Sequence, residues 1–291
     1  IGALQAINSL QLEKFGQDNA AIFQTMANQA AIAVENALLH KERLNNQLLN
    51  REIELASTIQ SGFWPKEQPM ISNYKVAGCS IPAKNVGGDY FDYISLPNKN
   101  NWGFTVADVT GKGVSAALLM ATMRASLRSH LEYSNTPNIS LTKVNELIFN
   151  DSPLDKFITA IYCELDSIKN TIRYVNAGHN NPYVLDVEKN SISTLDVGGL
   201  MLGILDTVKY DEEVYEIKSN QKLILYSDGI TEARDVKGDF YGEKRFENWL
   251  LDNKTLDPDA MVKGITEELI HFRNEAEQSD DITIIVIQRV G

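Results

Sequence analysis

Three features of the sequence predict an α+β fold in which helices cover largely antiparallel sheets. Beyond residue 67, runs rich in β-branched and aromatic residues recur at 74–81, 88–96, 102–109, 157–165, 171–177, 182–187, 192–196, 210–217, 222–227 and 282–289. That composition suits strands on a pleated, half-buried surface. Several neighbours are joined by turns as short as "DSIKN" at 166–170 and "EKN" at 188–190. Such short connections make hairpins, since parallel pairing needs a crossover of a dozen or more residues. Helical patterns fall at 113–131, 140–150, 243–252 and 258–274, segregated from the strands as α+β layering requires.

The N-terminal part reads differently. "IGALQAINS" looks like a strand, and "DNAAIFQTMANQAAIAVENALL" like a helix with Asp18 or Asn19 as N-cap. One strand and one helix cannot bury a core, so residues 1–39 read as the end of a domain that begins upstream. The helical pattern then continues without Pro or Gly to Gly62. With Val34, Lys41, Leu48 and Leu55 at a positions, Ala37, Leu44, Arg51 and Thr58 fall at d. This seam, broken by Lys41 and Arg51, predicts a marginal coiled coil over 20–62 that pairs two copies of the chain. Trp64-Pro65 closes the helix, because Pro disfavours the α conformation in the residue before it. The expected organisation is a domain remnant at 1–39, a helical linker at 40–66 and the α+β domain at 67–291.

Composition removes several function classes. The net charge of −12 argues against general nucleic-acid binding, which depends on clustered Lys and Arg. No apolar run approaches the ~20 residues that span a bilayer, and no signal peptide is visible, so a cytoplasmic location is expected. The first residue is Ile1 rather than Met, which reads as a piece of a longer chain. Cys79 and Cys163 lack metal-site spacing and read as core residues.

Four acidic sites share one pattern: an apolar strand meets Asp beside Gly, or Asp beside Asp. They are "VGGDYF" (Asp89), "FTVADVTGKG" (Asp108), "LILYSDGITEA" (Asp228) and "SDDITIIVI" (Asp280 and Asp281). A single strand-end Asp-Gly is ordinary turn chemistry; four in one domain point to a cluster. Two carboxylates about 4 Å apart repel by about 4 kcal/mol at an effective dielectric near 20. Divalent cations remove that cost, and oxygen ligands without His or Cys select Mg2+ or Mn2+. Paired ions of this kind acidify water for in-line attack on a phosphoester. "GKG" at 111–113 is no Walker A loop, since Val106 stands where its first Gly belongs and Gly113 where Ser or Thr must follow Lys112.

In order along the chain, "PAKNVGGDYFD", "ADVTGKGVSAALLMATMRASLR", "NAGHNNPY", "YSDGITEARD" and "SDDITIIVI" resemble the SpoIIE/RsbU-like branch of the metal-dependent protein phosphatases (PPM, PP2C-like). The resemblance covers about residues 67–291. "GALQAINS" and the helix after it resemble the end of a GAF sensory domain. The family implies an αββα sandwich with two Mg2+ or Mn2+ ions at one end. By match to its motifs, Asp89 reaches one ion, Asp108 bridges both, and the Val109 carbonyl is a further ligand. Asp228 and Asp280 hold the second ion, with Asp281 supporting them. Lys84 stands where relatives often carry Arg and is a candidate for contacting substrate phosphate. His179 is a candidate proton donor to the leaving group, or else a hydrogen-bonded turn histidine. The function implied is a sensor-regulated serine/threonine phosphoprotein phosphatase whose substrate is a phosphorylated STAS-domain protein in bacterial partner switching. The alternative is a catalytically silent, sensor-linked interaction module with the same fold.

Overall fold

A computed structural model describes residue 5 and residues 16–98, 100–133, 136–153 and 155–291. The strand expected in "IGALQAINS" and the side chains of Asp18 and Asn19 lie outside the described residues. Contacts divide the chain into residues 1–55 and 56–291. The first unit is described by helix α1 (Gln17–Ser61), whose last turns belong to the second. Ile22, Met26, Val34, Leu38, Leu44 and Leu48 are all exposed on it, an apolar surface that the unit itself does not cover.

The second unit contains ten strands: β1 (Tyr74–Ile81), β2 (Tyr90–Ser95), β3 (Asn101–Val109), β4 (Ile158–Asp166), β5 (Thr171–Ala177), β6 (Tyr183–Asp186), β7 (Ser191–Thr194), β8 (Glu213–Glu216), β9 (Gln221–Tyr226) and β10 (Ile282–Arg289). Four helices accompany them: α2 (Val114–Tyr133), α3 (Pro137–Asp151), α4 (Glu243–Asp252) and α5 (Pro258–Arg273). The strands form two five-stranded sheets, ordered β1-β10-β9-β6-β7 and β2-β3-β4-β5-β8. Every pairing within them is antiparallel. Asn170 and Asn190 take positive φ at hairpin turns, and Asn220 does so in the connection from β8 to β9, a conformation Asn tolerates better than most residues.

Three apolar layers hold the sheets together. Phe104, Val106 and Ile161 meet Leu223, Leu225 and Ile285 between them. α2 and α3 pack Met120, Leu127, Leu141 and Ile148 on the outer face of one sheet. α4 and α5 pack Phe246, Leu250, Ile265 and Leu269 on the other. The result is the expected αββα sandwich. Both faces of β9 and β10 are covered, which is why these strands read as unbroken apolar runs. Gln221 and Lys222 are the polar residues of β9; Lys222 is fully buried, and its amine donates to the Lys254 and Leu256 carbonyls, each at 2.5 Å. Helix α3 starts at Pro137, three residues before the expected 140, with Thr136 in extended N-cap geometry. Proline suits the first helical turn because its missing N–H has no intrahelical partner there.

Candidate active site

The sheets build the site twice by the same local device. In one, Tyr90 at the start of β2 stands opposite Ala107 near the end of β3, which leaves Asp89 beside Asp108. In the other, Tyr226 at the end of β9 stands opposite Ile284 near the start of β10. The Ser227 amide extends that ladder to the Thr283 carbonyl, which brings Asp228 to Asp280 and Asp281. Each pair thus combines the end of one strand with the start of its antiparallel neighbour, although the two pairs are more than a hundred residues apart in sequence. Gly229 permits the approach: a Cβ there would collide with the Asp281 carbonyl.

The two pairs lie within electrostatic reach of each other and repel. Burial, with the charges of Asp108 and Asp281, pushes the Asp89 carboxyl well above its usual range, against a smaller opposing pull from the Thr283 and Ser227 hydroxyls. Asp108 is raised to about 7 by burial and then by Asp228, Asp280 and Asp281, while its hydrogen bond with Asp89 lowers it. Asp228 is raised to about 6 by burial, Glu232 and Asp280, with Lys112 opposing. Asp108 therefore feels both pairs. Carboxyls raised together in this way mark a candidate functional site.

The cluster accommodates a hard divalent cation in three respects. Its donors are all oxygens. Asp89 is 2% exposed, and its Oδ2 has no hydrogen-bond partner among the described residues. A Cβ on Gly88 would come within 2.8 Å of the Val109 carbonyl and 3.4 Å of Asp108 Oδ1, so those two oxygens face the same small space. As they stand, no three His, Cys, Asp or Glu side chains among the described residues converge tightly enough to hold an ion alone. The donors form two carboxylate pairs, with the Val109 carbonyl beside one of them.

The remaining expected residues are placed as follows. Asp281 is a staple. Its Oδ1 accepts from the Ala83 amide at 2.7 Å, and its Oδ2 from the Gly88 and Asp89 amides at 2.7 and 3.3 Å. Three N–H donors suit a carboxylate, which only accepts, better than an amide, which must also donate. Lys84 is exposed next to the stapled Ala83. His179 is 7% exposed, with Nδ1 2.8 Å from Thr159 Oγ1 and its own amide bonded to Asn176 Oδ1 at 2.7 Å. Burial pulls its pKa down to about 4, so the ring is neutral at pH 7. Its Nδ1 and backbone amide are hydrogen-bonded, while Nε2 is buried without a partner among the described residues.

Two supporting contacts join segments far apart in sequence, one of them made by Asp92, which period-two alternation sets on the opposite face from Asp89 as a structural carboxylate. Gln60, in the last turn of α1, clasps the loop before Asp89: its Nε2 donates to the Gly87 carbonyl at 2.7 Å and its Oε1 accepts from the Gly87 amide at 3.0 Å. Asp92, fully buried on the other face of β2, receives Arg128 of α2 in bidentate fashion at 2.6 and 2.8 Å, together with the Tyr90 hydroxyl. Arg124, one turn earlier on α2, bonds the Phe63 carbonyl and lies over the Phe63 ring.

Comparison with known proteins fits this geometry. The model of the family described as stage II sporulation protein E (SpoIIE) matches residues 98–290. The phosphoserine phosphatase RsbU of Bacillus subtilis is 28% identical over 243 residues, covering 84% of this chain and 71% of RsbU. Of four other curated relatives, the chain spans between 26% and 57% of their length. The SiaA-PP2C domain of Pseudomonas aeruginosa superposes with a TM-score of 0.73 at 20% identity, over 84% of this chain and 98% of that one. RsbX in complex with magnesium does so with a TM-score of 0.57 at 16% identity, over 76% and 98%. At these identities the solved structures speak to the fold.

Proposed function

The chain belongs to the SpoIIE family of PP2C-like serine/threonine protein phosphatases, and on that premise we propose that it works with Mg2+ or Mn2+ held by Asp89, Asp108, the Val109 carbonyl, Asp228 and Asp280. The observation that carries this reading is the placement of two strand-end Asp pairs within electrostatic reach of each other, with Asp108 raised by the charges of the second pair and the Val109 carbonyl beside it. The chemistry supplied by bound divalent cations is neutralisation of the carboxylates, polarisation of the phosphoryl oxygens and acidification of water for in-line attack. The chain's own residues supply position. Asp281 and Gln60 fix the Gly87–Asp89 loop from opposite sides, and the Asp92–Arg128 pair fixes α2, which follows the loop after Val109. Lys84 is exposed and free to meet the phosphate of an incoming protein.

The resemblance to partner-switching phosphatases supports a phosphorylated STAS-domain protein as substrate and a cytoplasmic setting. None of the described helices is long and apolar enough to cross a membrane. The exposed apolar residues of α1 support pairing of two chains through residues 20–62, with regulation by a GAF-like sensor at 1–39, a helical linker at 40–66 and the phosphatase domain at 67–291. A catalytically silent module is the second reading; on its side is the lack of three converging side-chain ligands among the described residues.

Hydrolysis of p-nitrophenyl phosphate and of a phosphoserine protein, with and without Mn2+, separates the two. The enzyme reading predicts Mn2+-dependent release that Asp108→Asn lowers at least roughly a hundredfold, as expected when several kcal/mol of charge stabilisation are lost. Absence of any Mn2+-dependent hydrolysis selects the silent module.

A further inference from the structure

The loop between β3 and α2 carries a cation into the acidic cluster. Thr110 anchors its start, exchanging backbone and hydroxyl hydrogen bonds with Phe157 at 3.0–3.1 Å, and the Lys156 amine donates to the Thr110 carbonyl at 3.1 Å. Gly111 and Gly113 take φ of 89° and 83°, a region open to glycine and strained for other residues. Between them Lys112 reaches across to the start of β10. Its amine lies 3.0 Å from Asp280 Oδ2 and also donates to the Ser279 carbonyl. The other oxygen of Asp280, Oδ1, accepts the Asp281 amide at 2.9 Å. Both oxygens of this carboxylate are therefore engaged, one by a fixed backbone donor and one by a side chain that can swing away. The pair is open to solvent, with Lys112 42% and Asp280 37% exposed.

We propose that Lys112 is a tethered counter-ion that competes with a divalent cation for Asp280, so that filling of the Asp228–Asp280 half of the site depends on displacing its ammonium group. The proposal rests on the metal reading above and adds a residue that weakens binding rather than supplying a ligand. An ammonium beside a cation site repels the ion by Coulomb's law, and the bond to Oδ2 occupies a lone pair that the ion needs. Asp89, at the buried end of the cluster, has no salt bridge to a Lys or Arg among the described residues, and the groups that shift it most are carboxylates and hydroxyls. The two halves consequently fill at different cation concentrations, with Lys112 setting the higher one.

Isothermal titration of the purified chain with Mn2+ tests this without reference to turnover. Lys112→Met is expected to tighten the weaker Mn2+ binding step by roughly tenfold, equivalent to about 1.4 kcal/mol. Lys112→Arg, which keeps the charge, is expected to stay within about threefold of the parent, a bound set by the small worth of exposed ion pairs. Circular dichroism establishes that both variants are folded. Equal or weaker Mn2+ binding by folded Lys112→Met overturns the proposal, since the lysine would then order Asp280 rather than compete for it. Equal tightening in both variants also overturns it, because charge would not be the cause. If neither the parent nor Lys112→Met binds Mn2+, the metal reading falls and this proposal with it.

Discussion

Strand β2 presents two buried carboxylates of opposite character. Asp92 faces α2, is fully buried, and has a partner for each oxygen: the Arg128 guanidinium in bidentate contact and the Tyr90 hydroxyl. Asp89 precedes the same strand on the other side, equally hidden, with one oxygen lacking a partner and its nearest charges of the same sign. The first arrangement is what a buried charge needs in order to be tolerated in a fold. The second is costly unless something absent from the protein chain completes it. A satisfied buried carboxylate is architecture, and an unsatisfied one beside others is a binding group.

Substitutions can break that distinction. The largest effect is expected from Asp92→Ala, which strips Arg128 of its partner: about 3–5 kcal/mol of stability lost in urea denaturation, discounted toward the lower figure because Arg128 is part-exposed. His179 offers a third kind of buried titratable group. Its folded-state pKa of about 4 lies below the 6.5 of an unfolded histidine. The neutral ring therefore stabilises the fold fully above pH 6.5, and that contribution disappears as pH falls through about 4. About 3 kcal/mol is at stake over the interval, and His179→Gln is expected to flatten this part of the stability-pH curve measured by denaturation. Gln60→Ala removes the clasp on Gly87, at an expected cost of about 1–2 kcal/mol, with a few-fold weaker Mn2+ binding by titration calorimetry. Asp89→Asn is the smallest and opposite in sign. In chelator at pH 8 it relieves a buried, repelled charge and raises Tm, by about 2–4 °C per kcal/mol regained, while Mn2+ no longer stabilises the protein. A fall in Tm with Asp89→Asn comparable to that of Asp92→Ala would erase the contrast between the two residues.

The parts of this molecule legible in the sequence are those written locally. β9 and β10 announce themselves because both of their faces are covered, and the four ligand candidates because Asp beside Gly or Asp interrupts an apolar strand at its end. Period-two alternation separates Asp89 from Asp92 but does not say what either one meets. Arg128 lies 36 residues from Asp92, and Gln60 lies 27 from Gly87. Nothing along the chain marks a helix-surface arginine as an ion-pair partner or a linker glutamine as a loop clasp. Lys222 looks like a solvent-facing residue in a strand, yet α4–α5 backbone carbonyls take up its amine. His179 sits in a polar turn sequence whose burial depends on the stacking of both sheets. Side chains whose environment is assembled from distant segments stay hidden until the fold is known.

The two strand-end pairs are expected to form one divalent-cation site. The most direct test is anomalous diffraction from crystals of the chain soaked in Mn2+. Two peaks are expected, one bounded by Asp89, Asp108 and the Val109 carbonyl and the other by Asp108, Asp228 and Asp280, the latter fading first as Mn2+ is lowered. Well-occupied Mn2+ only at other carboxylates, with Asp89 and Asp108 left bare at saturating concentration, would contradict that expectation.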